Sequence, residues 1–163
     1  MLRNNPAQTS GDTFLSLCYH YVRPSLDSDP FPRLLGVRVD EFRNQIKMLK
    51  QNYRMITLED VKNFLYSNHS FSGKSTGMII TFDDGLSDHF HAARILAENG
   101  IKGVFFVPTC IFTEDLPANP IIIHYVLAEF GIQKFLEEFR NGLREHKLDV
   151  AKFDIKYEKG DDV

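Results

Sequence analysis

The chain of 163 residues has no tryptophan, only two cysteines, and no apolar run close to the ~20 residues that a membrane-spanning helix needs. Two cysteines, Cys18 and Cys110, are too few for a disulfide framework. Both sit among apolar neighbours and read as buried thiols of a reducing compartment. Positive charge is not in excess: 19 Lys+Arg against 22 Asp+Glu leave a formal charge of -3. That balance disfavours a nucleic-acid binder working through a basic face. Residues 1–12 are polar and lack an apolar segment of signal-peptide type, so no secretory signal is visible and a cytoplasmic location is expected. No internal repeat is present.

What remains is ordinary for a globular chain: 43% hydrophobic and 25% charged residues, with 14 Phe and 6 Tyr supplying core bulk. The length suits one domain, with about 70% of the unfolded surface buried on folding. Residues 1–12 are expected to be a disordered leader. Phe14 to Tyr19 read as a short buried strand, and Pro24, Pro30 and Pro32 mark residues 23–36 as loop. Asp40 is expected to cap a helix whose inward face is Phe42, Ile46, Leu49 and Tyr53. Thr57-Leu58-Glu59-Asp60 resembles a capping box and opens a second helix through Leu65. A flexible loop is expected over 67–77.

The middle carries the clearest pattern. Met78-Ile79-Ile80-Thr81-Phe82 is nearly all apolar, as in a parallel strand buried on both faces. A helix is expected from Ser87 to Glu98, stopped at Asn99-Gly100, and a second buried strand from Gly103 to Val107, ended by Pro108. Strand, helix and strand at this spacing form a βαβ unit, so the class is α/β with parallel strands and outer helices. Asn119-Pro120 reads as the cap and first residue of another helix, with Ile123, Val126, Leu127 and Phe130 inward and Gly131 ending it. A further helix carries Phe135, Leu136, Phe139 and Leu143. Residues 147–163 are densely charged and are expected to be an exposed tail.

Chemistry points to Thr81-Phe82-Asp83-Asp84-Gly85. Ligands of parallel α/β folds bind at the carboxyl ends of strands. Two adjacent carboxylates there repel, and a bound cation is the usual compensation. One carboxylate can hold a metal while its neighbour handles a water molecule, which fits metal-assisted hydrolysis. A solvated Asp-Asp-Gly turn explains the same residues. Tyr19-His20-Tyr21 and Pro108-Thr109 follow two other strands and gather polar groups at that rim. His20 also reads as a hydrogen-bonded structural histidine. Asp88, one turn after Asp84, reads either as a helix cap or as a group that orients the site loop. His89 and His91 are two apart, so on a helix they cannot grip one ion together. His124 reads as a core or rim histidine. Gly73-Lys74-Ser75 imitates a phosphate-binding loop but lacks its first glycine. Phe42, Phe90, Phe105, Phe106, Phe130, Phe135 and Phe139 read as core.

Three ordered blocks then resemble a known family. Leu17-Cys18-Tyr19-His20-Tyr21-Val22, Ile80-Thr81-Phe82-Asp83-Asp84-Gly85 with Asp88, and Gly103-Val104-Phe105-Phe106-Val107-Pro108-Thr109 look like the opening blocks of the polysaccharide deacetylases, the NodB-homology group of carbohydrate esterases. The resemblance implies an incomplete (β/α) barrel over 13–146. It also implies a divalent metal, usually Zn2+, and hydrolysis of an acetyl group on an amino sugar or polysaccharide. The general base falls on Asp83, the metal ligand on Asp84, and substrate or orienting roles on His20, Asp88 and Thr109. Segment 123–131 resembles a helical insertion found in some members.

The family completes its metal site with a His-x-x-x-His block. The six histidines here (His20, His69, His89, His91, His124, His146) include no such pair. Catalytic zinc takes three protein ligands, so Asp84 alone is not a site. The expectation is therefore the N-terminal part of a deacetylase, weak or inactive alone, completed by a C-terminal half or a homo-oligomer. A magnesium-dependent phosphatase and a non-catalytic saccharide-binding or interaction module are the alternatives.

Overall fold

The computed structural model describes residues 13–67 and 76–153. The expected leader 1–12, most of the loop at 67–77 and the end of the charged tail lie outside the described residues. Two compact units are present: the chain through Asp29 with Leu35–Thr109, and Pro30–Leu34 with the chain from Cys110 onward.

In the first unit the central strand is β5, Gly77–Phe82; β1 is Phe14–Tyr19 and β4 is Arg54–Met55. Strand β6, Val104–Phe105, completes a four-stranded parallel sheet. Along β5, β1 pairs with every residue from Gly77 to Phe82, while β4 pairs at Gly77–Met78 and β6 at Thr81–Phe82. A separate parallel pair joins β2, Val22–Arg23, to β3, Val37–Arg38. Helices α1 (Val39–Asn52), α2 (Leu58–Tyr66) and α3 (His89–Glu98) accompany the strands.

Period-two alternation explains why β5 is buried on both faces. Met78, Ile80 and Phe82 enter one core cluster with Phe42, Ile46 and Leu49 of α1 and Ala92, Ile95 and Leu96 of α3. Ile79 enters a second cluster with Ile56 and Phe64. The expected inward face of α1 is thus observed. Its start differs: the helix begins at Val39, and Glu41 reaches back to accept from the Arg38 N–H at 3.2 Å, so Asp40 is a first-turn residue and not the cap.

The capping box at α2 is present: the Asp60 N–H donates to the Thr57 hydroxyl at 3.2 Å, and the Thr57 N–H donates to the Asp60 carboxylate at 2.7 Å. Two bonds donated to the carboxylate, first that of the Thr57 N–H and then that of the Thr57 hydroxyl at 2.7 Å, hold the Asp60 carboxyl below its usual range. A depressed folded pKa contributes stability that is complete above the unfolded value and is lost as pH falls through the folded one. Asp60→Ala is therefore expected to cost about 1 kcal/mol at pH 7. The difference from wild type should shrink below the ordinary carboxylate value of about 3.9. Urea melts at pH 7 and pH 3 measure it.

Several elements differ from expectation. β1 is an edge strand: only Tyr19 is buried, and Leu15 and Cys18 are exposed, because β5 covers a single edge. β6 spans two residues, and Phe105, Phe106 and Val107 are exposed beside its open edge. Helix α3 starts at His89, two residues later than expected, and Phe90 points to solvent at 79% exposure. The proline-rich segment holds a 3-10 turn, Leu26–Ser28, between β2 and β3.

In the second unit, α4 is Cys110–Thr113 and α5 is Asn119–Glu145. Gly131 breaks α5 with φ 80 and ψ 165, a conformation open to glycine alone at low cost, so two helical segments meet there as the glycine suggested. Leu136 and Leu143 are buried as expected; Ile123, His124 and Phe130 are exposed, contrary to expectation. Phe31 meets Tyr125 edge-on at 5.1 Å, which places residues 30–34 with this unit. No helix among the described residues is long and apolar enough to cross a membrane.

Candidate active site

Parallel register brings the carboxyl ends of three strands to one rim. Tyr19 of β1 lies opposite Phe82 of β5, and Phe82 lies opposite Phe105 of β6. Asp83 continues the strand for one residue, since its N–H donates to the Tyr19 carbonyl at 3.1 Å. Asp84 then adopts φ 77 and Gly85 φ 62. The left-handed region costs an L-residue roughly 1–2 kcal/mol, and aspartate is among the few that visit it. The two turned residues carry the chain off the sheet. Strain of this kind collects at functional positions.

His20 faces both acids: its Nε2 lies 3.9 Å from Asp83 Oδ2 and 4.0 Å from Asp84 Oδ2. Among the described residues neither carboxylate is paired with a lysine or arginine. The Cys18 thiol donates to Asp83 Oδ2 at 3.3 Å. Cys18, expected to be buried, is exposed because it lies on the uncovered side of the edge strand β1. Burial of the thiol's immediate surroundings, aided by the Asp83 charge and opposed by a bond with Thr81, pushes its pKa up. Burial, then the Asp84 charge, pushes the Tyr21 phenol up.

Asp88 does not cap α3, since its side chain makes no cap bond. It is buried and accepts twice from Arg23 Nη1, at 3.1 and 2.8 Å. Arg23 also bonds Asp29, which Arg38 bonds from the other side. Burial opposes the Arg23 charge, but its bonds with Asp29 and Asp88 prevail and raise its pKa. His89, next to Asp88, is buried too, and its Nε2 lies 2.8 Å from the His20 carbonyl. Arg23 and His89 thus tie the start of α3 to the strand β2 and to the loop carrying His20. Thr109 is exposed beyond β6, at the same end of the sheet. His91 is exposed. A hollow of about 600 Å³ lies instead along α5, lined by Phe130 before the Gly131 break and by residues from Gln133 to Arg144 after it.

Sequence reasoning named Asp83, Asp84, His20 and Asp88 and missed Cys18 and Arg23. Cys18 lies directly opposite Thr81 in the parallel register, but its exposure depended on β1 being an edge. Arg23 sat in a proline-rich stretch with no periodic signal.

The donor chemistry bears on a metal. Zinc bonds at about 2.0–2.3 Å space neighbouring ligand atoms roughly 3.3–3.6 Å apart. His20 and the acid pair stand slightly wider than that, within reach of small side-chain rotations. The oxygen and nitrogen donors fit part of a divalent-cation site, with Asp84 able to supply one ligand. No family model and no curated protein matches the chain.

Comparison with solved structures finds partial likenesses, of which three are given. The Streptococcus pyogenes deacetylase PplD, solved with acetate, is 23% identical over 62% of this chain and 45% of that one, with a TM-score of 0.50. The chain has the NodB-type deacetylase fold in part. IcaB from Ammonifex degensii is 31% identical over 60% of this chain and 39% of that one, with a TM-score of 0.48. BA0330 of Bacillus anthracis, assigned as a polysaccharide deacetylase, is 20% identical over 58% of this chain and 28% of that one, with a TM-score of 0.37. The chain spans less than half the length of these NodB-type structures. An open parallel sheet with helices is what the described residues contribute to that fold.

Proposed function

We propose that this chain carries the strand-rim part of a metal-dependent carbohydrate deacetylase, built on the (β/α) barrel plan, that removes acetyl groups from amino sugars. The observation that carries the reading is the acid pair at the end of β5, its second member in the left-handed region and both facing His20 with no neutralising lysine or arginine among the described residues. Asp83, held at the strand end by its N–H, is proposed as the general base that takes a proton from the attacking water. Asp84 is proposed as a metal ligand. A bound Zn2+ would supply a Lewis acid for the acetyl carbonyl and ease ionisation of the water. Asp88, through Arg23 and the neighbouring His89, positions the loop between these groups; His20 and Thr109 line the rim toward substrate.

No two histidines of the chain stand four apart, so the further metal ligands and the catalytic acid are proposed to come from residues outside this sequence or from a second chain. Turnover by the 163 residues alone is proposed to be weak or nil. Substrate binding tests the reading without turnover. In amide NMR spectra, an N-acetylated chito-oligosaccharide is expected to shift residues 19–21, 83–85 and 109, and its deacetylated counterpart to shift them less. Equal or absent shifts at millimolar sugar would sink the proposal.

A further inference from the structure

The acid pair has a neighbour that the deacetylase reading leaves unused. Cys18 on β1, His20 just after it, and Asp83 after β5 each offer one donor atom, and the three atoms lie within 4.8 Å of one another. The Cys18 Sγ and Asp83 Oδ2 are 3.3 Å apart, and His20 Nε2 is 3.9 Å from the same oxygen. A tetrahedral zinc ion needs neighbouring donors roughly 3.3–3.6 Å apart, so one short movement of the exposed His20 ring closes the set. Both strands are held in register there by the pairing of Cys18 with Thr81 and Tyr19 with Phe82.

We infer that Cys18, His20 and Asp83 form a zinc-binding site of their own, with a sulfur, a nitrogen and an oxygen donor. Soft thiolate and imidazole ligands suit zinc and disfavour magnesium. On binding, Cys18 gives up its thiol proton to solvent and Asp83 exchanges the S–H hydrogen bond for a metal–oxygen bond. His20 binds as the neutral ring, solvent keeps the fourth position, and no oxidation state changes. The backbone of His20 is already fixed by the contact of its carbonyl with His89. One consequence rests on the deacetylase reading: a zinc ion in this trio ties up the carboxylate of Asp83 and so withdraws it as a base. Occupancy of the trio is therefore an off state, and excess zinc inhibits.

Cobalt(II) alone, titrated into the full chain, tests the site through absorption spectra. One cobalt ion per chain is expected, with intense thiolate-to-cobalt charge transfer in the near ultraviolet and visible bands of a tetrahedral centre. Zinc should remove both in equimolar competition. Cys18→Ser should abolish the charge transfer and weaken binding by at least the roughly 10–100-fold that loss of a mere supporting group costs a metal site. Asp84→Asn should keep the charge-transfer band. Cobalt that binds wild type without that band, no binding at all, or equal affinity in Cys18→Ser overturns the inference. Loss of the band in Asp84→Asn overturns the assignment of Asp83 as the ligand. Sugar binding measured separately is untouched by any of these outcomes, so the two readings fail independently.

Discussion

Arg23→Met is expected to destabilise the first unit by about 3–5 kcal/mol, the usual result of removing one partner from a buried ion pair. The substitution keeps side-chain bulk and takes away the cation that bonds Asp88 twice. Asp88 is 8% exposed, so water cannot replace the lost bonds. Asp29 retains Arg38, so the damage concentrates on Asp88. The double variant Arg23→Met/Asp88→Leu should recover most of the loss, because an apolar pair of similar volume replaces a buried ion pair at little cost. Denaturant midpoints for the two variants check this. A single variant as stable as wild type would show that the pair is solvated in solution. The loss is large beside a typical total of about 5–15 kcal/mol, so Arg23→Met should stand close to its unfolding midpoint at room temperature. Amide exchange should rise first between Asp84 and Phe90, since Asp88 holds the turn there.

Phe82→Ala should cost a similar amount, about 3–5 kcal/mol. Phe82 is fully buried and is the last strand residue before the acid pair. Its ring stacks on Phe105 at 4.6 Å and on Tyr19 at 5.7 Å, and it meets Phe42 and His89 at 6.0 and 5.2 Å. Four neighbours from β6, β1, α1 and α3 lose a shared partner, and none of them can collapse into the space without leaving its own element. Phe82→Leu, which refills part of the volume, should cost clearly less. Thermal melts order the three proteins; an alanine variant within about 1 kcal/mol of wild type would show that the site relaxes, against what a close-packed interior allows. Because Phe82 sets the position of Asp83, the alanine variant should also lose the cobalt-thiolate band at lower denaturant than wild type.

How much of this was legible in the residues varies by element. β5 was, since a nearly unbroken apolar run that ends in two acids has few other solutions in a parallel sheet. The capping box at Thr57 was, because its two bonds are local and span three residues. Helix α3 was legible in its body and not in its start: Asp88 looks like a cap in one dimension, and Arg23, 65 residues distant, claims its carboxylate instead. The exposure of Phe90, Phe106 and Phe130 was not legible either. A period marks which side chains share a face and says nothing of whether another element covers that face.

The same division runs through the site. Sequence alone determined that two carboxylates leave a buried strand together and that the class is α/β. Tertiary structure alone decided that β1 is an edge, so that Cys18 reaches Asp83 from the open side, and that His20 sits about 4 Å from both acids. The physical reason is range. Strand burial and caps are settled by neighbours within a few residues, whereas a donor cluster needs side chains more than 60 positions apart to share one rim, and only the register of paired strands sets that distance.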